Sequence, residues 1–379
     1  MIYKRFQDKD LSLLGFGTMR LPVFEDGKID VDQVDEMVKY ALEHGINYFD
    51  TAMPYHNGLS EKVIGECLKK YPRDSFYLAD KYPGHQTVAH FDPAKTFQTQ
   101  LDRCQVDYFD FYLMHNVSEY SLDNYLSDEL GFVKYFLGEK ERGRIKHLGF
   151  SCHGNYPCLK AFLDKYADVM EFCQLQINYV DWDLQGAKEK YELVSSYGIP
   201  VWVMEPLRGG ALKNTAEAFR WLERFDNIKM ILSGMSNMNQ LMENVAIFHA
   251  EDPLSDLDTN GLKLLADKFV TKVPCTSCHY CDGCPKGIDI PVMMNLCTDA
   301  RTGFNFSITM RIEGQPEGSR MYDCVECGAC VPKCPQHINI PEIMKELNER
   351  WEKMPHWADV CKQREEAQKQ LEAAEALNK

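Results

Sequence analysis

Residues 13–50 read LLGFGTMRLPVFEDGKIDVDQVDEMVKYALEHGINYFD and predict one complete strand–helix–strand unit. The apolar runs at the two ends, LLGFG and INYFD, are typical of buried parallel strands. Between them, Val34, Val38 and Ala41 recur at helical spacing. Gly45 follows this pattern at the place where a glycine commonly ends a helix. The unit therefore predicts a strand, a helix and a second strand parallel to the first.

Eight such apolar runs follow one another at intervals of roughly 25–35 residues. The predicted strands are Leu13–Gly17, Ile46–Asp50, Phe76–Ala79, Tyr108–Met114, His147–Ser151, Phe172–Ile177, Pro200–Met204 and Lys229–Ser233. Repeated strand–helix units indicate parallel strands, and eight of them close an α/β fold of the (β/α)8 TIM-barrel type. The alternative is an open doubly wound sheet with one strand miscounted. A glycine-rich dinucleotide fingerprint would favour it, but the third glycine after Gly15 and Gly17 is missing.

The composition is that of an ordinary globular chain of 379 residues, with 45% hydrophobic and 26% charged residues. The net charge of −15 argues against nucleic acid as a partner and against charge-driven binding to anionic membranes. No run approaches the roughly 18 apolar residues of a spanning helix, so we expect no membrane insertion. The first residues, MIYKRFQDKD, lack the apolar core of a signal peptide. We therefore expect a cytoplasmic chain, in which disulfides are rare.

Three regions are expected along the chain. The barrel pattern fades near residue 250 and the segment AEDPLS at 250–255 is typical of a linker, so the barrel is predicted to span residues 1–255. Residues 256–341 are predicted to form a cysteine-rich domain, which begins with a helix over Leu257–Val270. Residues 342–379, rich in alanine, glutamate and lysine, predict a solvated helical tail.

Ionisable side chains lie at or just after the carboxyl ends of the second, third and fourth predicted strands. They are Asp50, Lys81 and His115, and Tyr55 lies five residues beyond Asp50. In a barrel the carboxyl ends of the strands share one face, where active sites are built. Each residue alone would be explained as well by a surface or structural role. Together they predict a general acid–base site.

The segments that carry these residues resemble the aldo-keto reductase family. In chain order they are GFGTMRLP at 15–22, YFDTAMPYHNGLSEKVIGECL at 48–68, DYFDFYLMHNV at 107–117, GRIKHLGFS at 143–151, MEPLRGGAL at 204–212 and GMSNMNQLMENV at 234–245. The resemblance covers about residues 1–250. It implies NAD(P)H-dependent reduction of an aldehyde or ketone to an alcohol, with a small-molecule carbonyl or alcohol as substrate.

By this resemblance, the catalytic tetrad consists of Asp50, Tyr55, Lys81 and His115. Tyr55 would donate a proton to the carbonyl oxygen while a nicotinamide delivers hydride to the carbon. A tyrosine has a reference pKa near 10 and is a weak acid at neutral pH, but a nearby Lys81 ammonium favours the phenolate. Asp50 would hold and balance Lys81, and His115 would orient the carbonyl by hydrogen bonding.

The resemblance also implies a nicotinamide dinucleotide site. Ser151 and Gln174 match the residues that hold the carboxamide, although Gln176 in the same strand fits the glutamine position as well. The remaining matches are Pro206, Leu207, Gly209 and Leu212 for the pyrophosphate loop, and Gly234, Ser236, Gln240, Glu243 and Asn244 for the adenosine end. Many NADP-preferring relatives have basic residues in that last stretch, which has none here, so NADP and NAD both stay open.

The fifteen cysteines need a separate explanation, because nine of them lie between Cys275 and Cys334. The run CVECGACVPKCP at 324–335 has the spacing of bacterial ferredoxins, and CTSCHYCDGCP at 275–285 is a variant one residue shorter. In two-cluster ferredoxins the fourth cysteine of each run ligates the other cluster. The expected ligands of two [4Fe–4S] clusters are therefore Cys275, Cys278, Cys281 and Cys334 for one, and Cys324, Cys327, Cys330 and Cys284 for the other. Structural zinc, the alternative, takes four tetrahedral ligands and fits tandem triples poorly.

The segment between the two runs, with a helix expected over Ile290–Leu296, is similar to the mainly α-helical ferredoxin-like domains of respiratory and anaerobic reductases. The whole chain thus resembles a branch of the aldo-keto reductases with a C-terminal ferredoxin-like two-cluster domain.

A nicotinamide passes two electrons as hydride, whereas each cluster passes one, so direct electron transfer between the two halves is not expected without a flavin. Three functions are compatible with this mismatch. The first is a carbonyl reductase whose clusters exchange electrons with an electron-carrier protein, or serve structure and sensing. The second is a redox relay in which the barrel binds a flavin and the clusters receive electrons from a ferredoxin-like carrier. The third is a redox-sensing, nucleotide-binding subunit without turnover.

Overall fold

The structure, a computed structural model, describes residues 1–85, 92–250, 252–303, 306–359, 361–363, 365–366 and 369. The chain divides into two compact units, Met1–Ala266 and Asp267–Lys379. Within the described part of the chain, no helix has the length and apolar character that crossing a membrane requires.

The first unit opens with a short antiparallel hairpin of β1 (Tyr3–Phe6) and β2 (Lys9–Ser12). Eight parallel strands then close a barrel in the order β10-β3-β4-β5-β6-β7-β8-β9. The barrel strands are β3 (Leu14–Gly17), β4 (Tyr48–Asp50), β5 (Tyr77–Tyr82), β6 (Phe109–Val117), β7 (Ile145–Cys152), β8 (Cys173–Gln176), β9 (Val201–Met204) and β10 (Ile228–Gly234). Each predicted strand overlaps one of these, so the (β/α)8 barrel is confirmed and the open sheet is wrong.

Among the barrel strands, β5 and β6 extend furthest beyond the carboxyl ends of the predicted apolar runs. β5 continues to Tyr82 and β6 to Val117, so Lys81 and His115 lie within the last residues of their strands instead of after them. The polar residues were excluded from the predicted strands because they interrupt the apolar pattern. The Lys81 backbone nevertheless pairs with Leu113 of β6, whereas His115 lies between Met114 and Val117, where the pairing of β6 with β7 shifts.

Helices surround this barrel. They are α1 (Val31–Glu43), α2 (Ser60–Leu68), α3 (Pro93–Cys104), α4 (Leu122–Leu126), α5 (Phe132–Glu141), α6 (Tyr156–Tyr166), α7 (Asp181–Leu184), α8 (Ala187–Ser196), α9 (Thr215–Glu223), α10 (Met238–His249) and α11 (Asp256–Asp267). α1 shows why they form: Asp30 accepts a hydrogen bond from the Gln33 N–H at its start, and Gly45 takes a positive φ of 89° just beyond its end. α11 corresponds to the helix predicted over Leu257–Val270.

The N-terminal hairpin packs against the beginnings of the barrel strands. Phe6 lies 5.0 Å from Trp202 and 5.6 Å from Phe111, measured between ring centroids, and all three side chains are buried. This aromatic core fills the barrel at its amino-terminal end. In barrels of this kind, active sites are built at the opposite, carboxyl-terminal end.

The second unit contains α12 (Ile290–Thr302), α13 (Phe306–Glu313) and α14 (Ile340–Trp351). α12 packs against α14 through an apolar core that includes Met293, Leu296, Met344 and Leu347. The two cysteine-rich segments lie before α12 and before α14. The helix expected over Ile290–Leu296 lies within α12. Most of the charged tail REEAQKQLEAAEALNK at 364–379 lies outside the described residues.

Candidate active site and cysteine-lined pockets

A buried ion pair joins the ends of β4 and β5. The Lys81 Nζ donates to Asp50 Oδ1 at 2.6 Å and to the backbone oxygen of Thr51 at 2.7 Å. The two side chains are only 1% and 5% exposed. Burial raises the pKa of Asp50, and the Lys81 ammonium opposes that increase. Water cannot compete for these groups, so the ammonium is fixed at one point of the barrel mouth.

Tyr55 lies beside this pair. Its hydroxyl oxygen is 3.4 Å from Lys81 Nζ, which also lies 5.0 Å from the centre of the tyrosine ring. Tyr55 begins a short turn in which His56 and Asn57 have positive φ angles of 50° and 56°. The turn is anchored because His56 Nε2 accepts a hydrogen bond from the Leu21 N–H at 3.1 Å. The loop after β4 is thereby bent so that the phenol reaches the ammonium.

His115 completes the predicted tetrad. The pairing of β6 with β7 shifts between Met114 and Val117, and Asn116 takes a positive φ of 55°. Such an irregularity changes the direction of nearby side chains and is frequent beside active sites. The His115 ring lies 6.2 Å from the Tyr55 ring, nearly perpendicular to it. The structure therefore brings Asp50, Tyr55, Lys81 and His115 together at one end of the barrel.

The His115 imidazole is buried, which favours its neutral form. Burial lowers its pKa well below the usual value, and the nearby His85 and Lys81 lower it further. Its Nδ1 has no hydrogen-bond partner among the described residues. A neutral imidazole beside a phenol can donate a hydrogen bond to a bound oxygen without competing with the tyrosine as the proton source.

A second histidine, His85, was missed by the sequence reasoning. Its ring lies 4.6 Å from that of His115, and burial lowers its pKa to about 4. The signal that could have found it is its place four residues after Lys81, at the carboxyl end of β5. The carboxyl end of the barrel therefore holds two adjacent imidazoles where the sequence predicted one.

Mildly acidic pH is expected to destabilise the chain through His115. Its folded-state pKa is lowered, so the unfolded chain binds more protons as the pH falls below about 6.5, and stability declines. Between about pH 7 and pH 5.5, His115 should account for about 1 kcal/mol of the lost free energy of unfolding. Urea unfolding of the wild type and His115→Gln at both pH values measures this difference. Equal pH dependence in the two proteins would show that His115 titrates normally.

The residues matched to the carboxamide site lie side by side. Ser151 in β7 and Gln174 in β8 are register partners, and both are buried. The Ser151 Oγ accepts a hydrogen bond from the Asn116 N–H at 2.7 Å, while Gln174 Oε1 has no partner among the described residues. Gln176 instead donates to Asp181 Oδ2 at 2.8 Å. The geometry thus gives the two glutamines different environments.

The residues matched to the rest of the dinucleotide lie on the loops after β9 and β10. In the first loop, Gly209 takes a positive φ of 66°, and Pro206 and Leu212 are buried. In the second, Asn244 is buried and donates to Ser233 Oγ at 3.0 Å, and Gln240 Oε1 accepts from the Ser236 N–H at 2.8 Å. The exposed members of the predicted set are Gly234, Ser236, Gln240 and Glu243.

The cysteines of the second unit line two pockets. Cys275, Cys278, Cys281 and Cys334 line one pocket. Cys284, Cys324, Cys327 and Cys330 line the other, which Cys281 also borders. The structure therefore gathers the eight cysteines in the two groups of four that the ferredoxin spacing predicts.

Electrostatic interactions follow the same grouping. Burial raises the pKa of the Cys281 thiol, and Cys278, Cys334 and Cys275 raise it further. Burial likewise raises the pKa of Cys330, to which Cys324, Cys327 and Cys284 add. Four thiols that disfavour one another's ionisation in this way need a shared positive centre if they are to be thiolates.

The two loops that carry the cysteines have similar backbone conformations. CPKGIDIP at 284–291 and CPQHINIP at 334–341 each pass through a positive φ, at Gly287 and His337, before Ile-Pro opens α12 and α14. Ser277 and Glu326, at matching places in the two cysteine runs, also have positive φ angles of 51° and 52°. Non-glycine residues adopt such conformations at an energetic cost, which the surrounding structure must offset.

No group of three or more histidine, cysteine or carboxylate side chains among the described residues is placed to hold a single metal ion.

Comparison with known proteins assigns the barrel to a family. The sequence profile described as "Aldo/keto reductase family" matches residues 13–217, which is more than half of the chain. The chain therefore belongs to the aldo/keto reductase family, a family of oxidoreductase enzymes. The resemblance of the barrel sequence to this family is thereby confirmed.

Three curated relatives illustrate the match. A probable aldo-keto reductase of Glycine max is 29% identical over 153 residues, which cover 38% of this chain and 42% of that protein. The L-galactose dehydrogenase of Arabidopsis thaliana is 32% identical over 148 residues, covering 37% and 44%. The NADH-specific methylglyoxal reductase of Escherichia coli is 23% identical over 324 residues, covering 69% and 96%. The chain thus spans less than half the length of the two plant proteins.

Solved structures agree on the fold. An aldo-keto reductase from Klebsiella pneumoniae, determined in complex with NADPH, superposes with a TM-score of 0.55 at 22% identity. The match covers 70% of this chain and 96% of that one.

Proposed function

We propose that the protein is an NAD(P)H-dependent reductase of aldehydes or ketones, with Tyr55 as the proton donor. The observation that carries this proposal is the linked set of contacts from Asp50 through Lys81 to Tyr55, beside His115 at the carboxyl end of the barrel. The relatives are named as reductases or dehydrogenases of small carbonyl compounds and sugars, which supports the same class of substrate.

Each residue of the tetrad has a role that its surroundings support. When bound, a reduced nicotinamide supplies hydride to the carbonyl carbon. Tyr55 gives its phenolic proton to the carbonyl oxygen, and Lys81 stabilises the phenolate that remains. Asp50 balances the buried ammonium and keeps it in place. His115 donates a hydrogen bond that orients the carbonyl oxygen, and solvent returns the proton to Tyr55.

The dinucleotide would lie along the ends of β7 to β10. Ser151 and Gln174 would hold its carboxamide, the loop from Pro206 to Leu212 its diphosphate, and the loop after Gly234 its adenosine. The unpaired, buried Oε1 of Gln174 is an acceptor of the kind that an amide N–H satisfies. The relatives bind either cofactor, since one is named NADH-specific and another was determined with NADPH.

We further propose that the second unit holds two [4Fe–4S] clusters. Cys275, Cys278, Cys281 and Cys334 would ligate one, and Cys324, Cys327, Cys330 and Cys284 the other. The two pockets and the mutual effects on thiol pKa support this division. Such clusters pass single electrons, so their natural partner is an electron-carrier protein.

Removing one cysteine from each group is expected to remove one cluster. Cys278→Ser and Cys327→Ser should each lower the iron and acid-labile sulfide of anaerobically purified protein by about half. Cys297→Ala is the matched control, because Cys297 is buried in the apolar core of the second unit and belongs to neither group. Zinc in place of iron, or iron content that none of these variants changes, would contradict the assignment.

The reductase proposal is tested by following NADPH and NADH oxidation by anaerobically purified protein over a panel of aldehydes and ketones. Carbonyl-dependent oxidation is the expected result. Flavin in the purified protein, together with no nicotinamide oxidation by any carbonyl, would overturn the proposal in favour of the relay.

A further inference from the structure

Arg20 lies at the junction of the two loops to which the dinucleotide is assigned. It ends the short turn after β3, whose last residue Gly17 is the register partner of Gly234 in β10. The aliphatic part of Arg20 covers Gly234 so closely that an added Cβ there would lie 3.2–3.3 Å from three of its carbon atoms. The glycine therefore gives Arg20 room to lie across the end of β10.

The Arg20 guanidinium reaches the loop after β9. Its Nη2 lies 3.6 Å from Glu205 Oε1, and the two side chains are 26% and 14% exposed. Glu205 immediately precedes Pro206 and has a positive φ of 54°, an uncommon conformation for glutamate. Strain of this kind persists where the surrounding structure requires it, often at ligand sites.

The Glu205 carboxylate occupies a place suited to an anion. Burial raises the pKa of Glu205, while the Arg20 guanidinium and the Gly209 N–H oppose that increase. A guanidinium and a backbone N–H in a glycine-containing loop are the groups that bind phosphate oxygens in other proteins. In the free protein, an internal carboxylate is thus held by phosphate-binding groups.

Basic residues that could bind a phosphate are otherwise scarce in the two loops. The stretch from Gly234 to Asn244 contains no lysine, arginine or histidine. Arg208, within the first loop, is buried against Asp181, with 3.2 Å between its Nε and the Asp181 Oδ1. Arg20 is a cation that extends over the second loop and contacts the first.

We propose that Arg20 binds the diphosphate of the dinucleotide, and that the Glu205 carboxylate occupies the same groups in the free protein and is displaced on binding. This inference rests on the proposed nicotinamide-dependent function. Glu205 then acts as an internal competitor that weakens dinucleotide binding. Removing the arginine and removing the carboxylate should therefore have opposite effects on affinity.

Binding is measured with anaerobically purified full-length protein by quenching of its intrinsic fluorescence with NADPH, NADH and ADP-ribose. Arg20→Gln should raise the Kd for all three by about 10- to 100-fold, as expected for a lost charge-assisted contact. Glu205→Gln should lower the Kd by about threefold or more, because the internal competitor loses its charge. Arg20→Lys, which keeps the charge without the planar fork, should fall between wild type and Arg20→Gln.

Arg5→Gln is the matched control, because Arg5 pairs with Asp10 at 3.2 Å in the exposed N-terminal hairpin. It should leave all three Kd values unchanged. Arg20 variants that bind as the wild type does, a Glu205→Gln protein that binds more weakly, or an effect confined to NADPH would each overturn the inference. A wild-type protein that binds none of the three ligands would instead refute the proposed function.

Discussion

Replacing Tyr55 with phenylalanine is expected to lower kcat for carbonyl reduction by about 10²- to 10⁴-fold. The change removes the hydroxyl that lies 3.4 Å from Lys81 Nζ and leaves the ring, so the proton donor is lost while packing is kept. The Kd for NADPH or NADH should stay within about twofold of the wild-type value, because the phenol acts on the carbonyl oxygen. Steady-state kinetics and fluorescence titration measure the two quantities separately.

Tyr120→Phe is the matched control for this variant. Tyr120 is 53% exposed, so loss of its hydroxyl should leave kcat unchanged. A Tyr55→Phe enzyme with wild-type kcat would show that the proton comes from another group. His85 and His115 would then be the next residues to replace.

The second large effect is expected at the buried ion pair. Lys81→Met leaves the Asp50 carboxyl group buried without its cation, which should cost about 3–5 kcal/mol of the free energy of unfolding. It should also lower kcat by at least about 100-fold, because nothing then stabilises the Tyr55 phenolate. Urea unfolding and steady-state kinetics of the same preparation measure both effects.

The double variant Asp50→Asn/Lys81→Met separates stability from catalysis. It should recover part of the lost stability, because no charge remains buried, but it should not recover kcat. Lys160→Met is the control for a surface pair, since Lys160 and Asp164 are about half exposed and solvent screens their attraction, so its loss should leave stability nearly unchanged. A Lys81→Met protein as stable as the wild type would contradict the buried-pair description.

Much of the barrel could be predicted because its strands are short apolar runs at regular intervals. The hairpin of β1 and β2 could not, since YKRF and KDLS are four-residue strands with mainly polar side chains. Their place is fixed by tertiary packing, through Phe6 in the aromatic core. The ends of β5 and β6 were missed for a related reason, because Lys81 and His115 interrupt the apolar pattern.

The tetrad and the cysteine groups could be proposed from the sequence because their residue types and spacing indicate their chemical roles. The contacts of His85 with His115, and of Arg20 with Glu205, could not. Arg20 and Glu205 are far apart in the chain, and only the closure of β10 onto β3 brings their loops together. The sequence around Arg20 therefore does not indicate that Glu205 lies beside it.

The central claim, direct hydride transfer to a carbonyl at the Tyr55 site, is tested most directly with NADPH or NADH deuterated at the transferable position of the nicotinamide. Anaerobically purified protein is allowed to reduce an aldehyde in ordinary water, and the alcohol is examined by mass spectrometry. The account predicts one deuterium on the carbinol carbon of each product molecule. An alcohol without deuterium would contradict it, because a flavin-linked route exchanges that hydrogen with solvent.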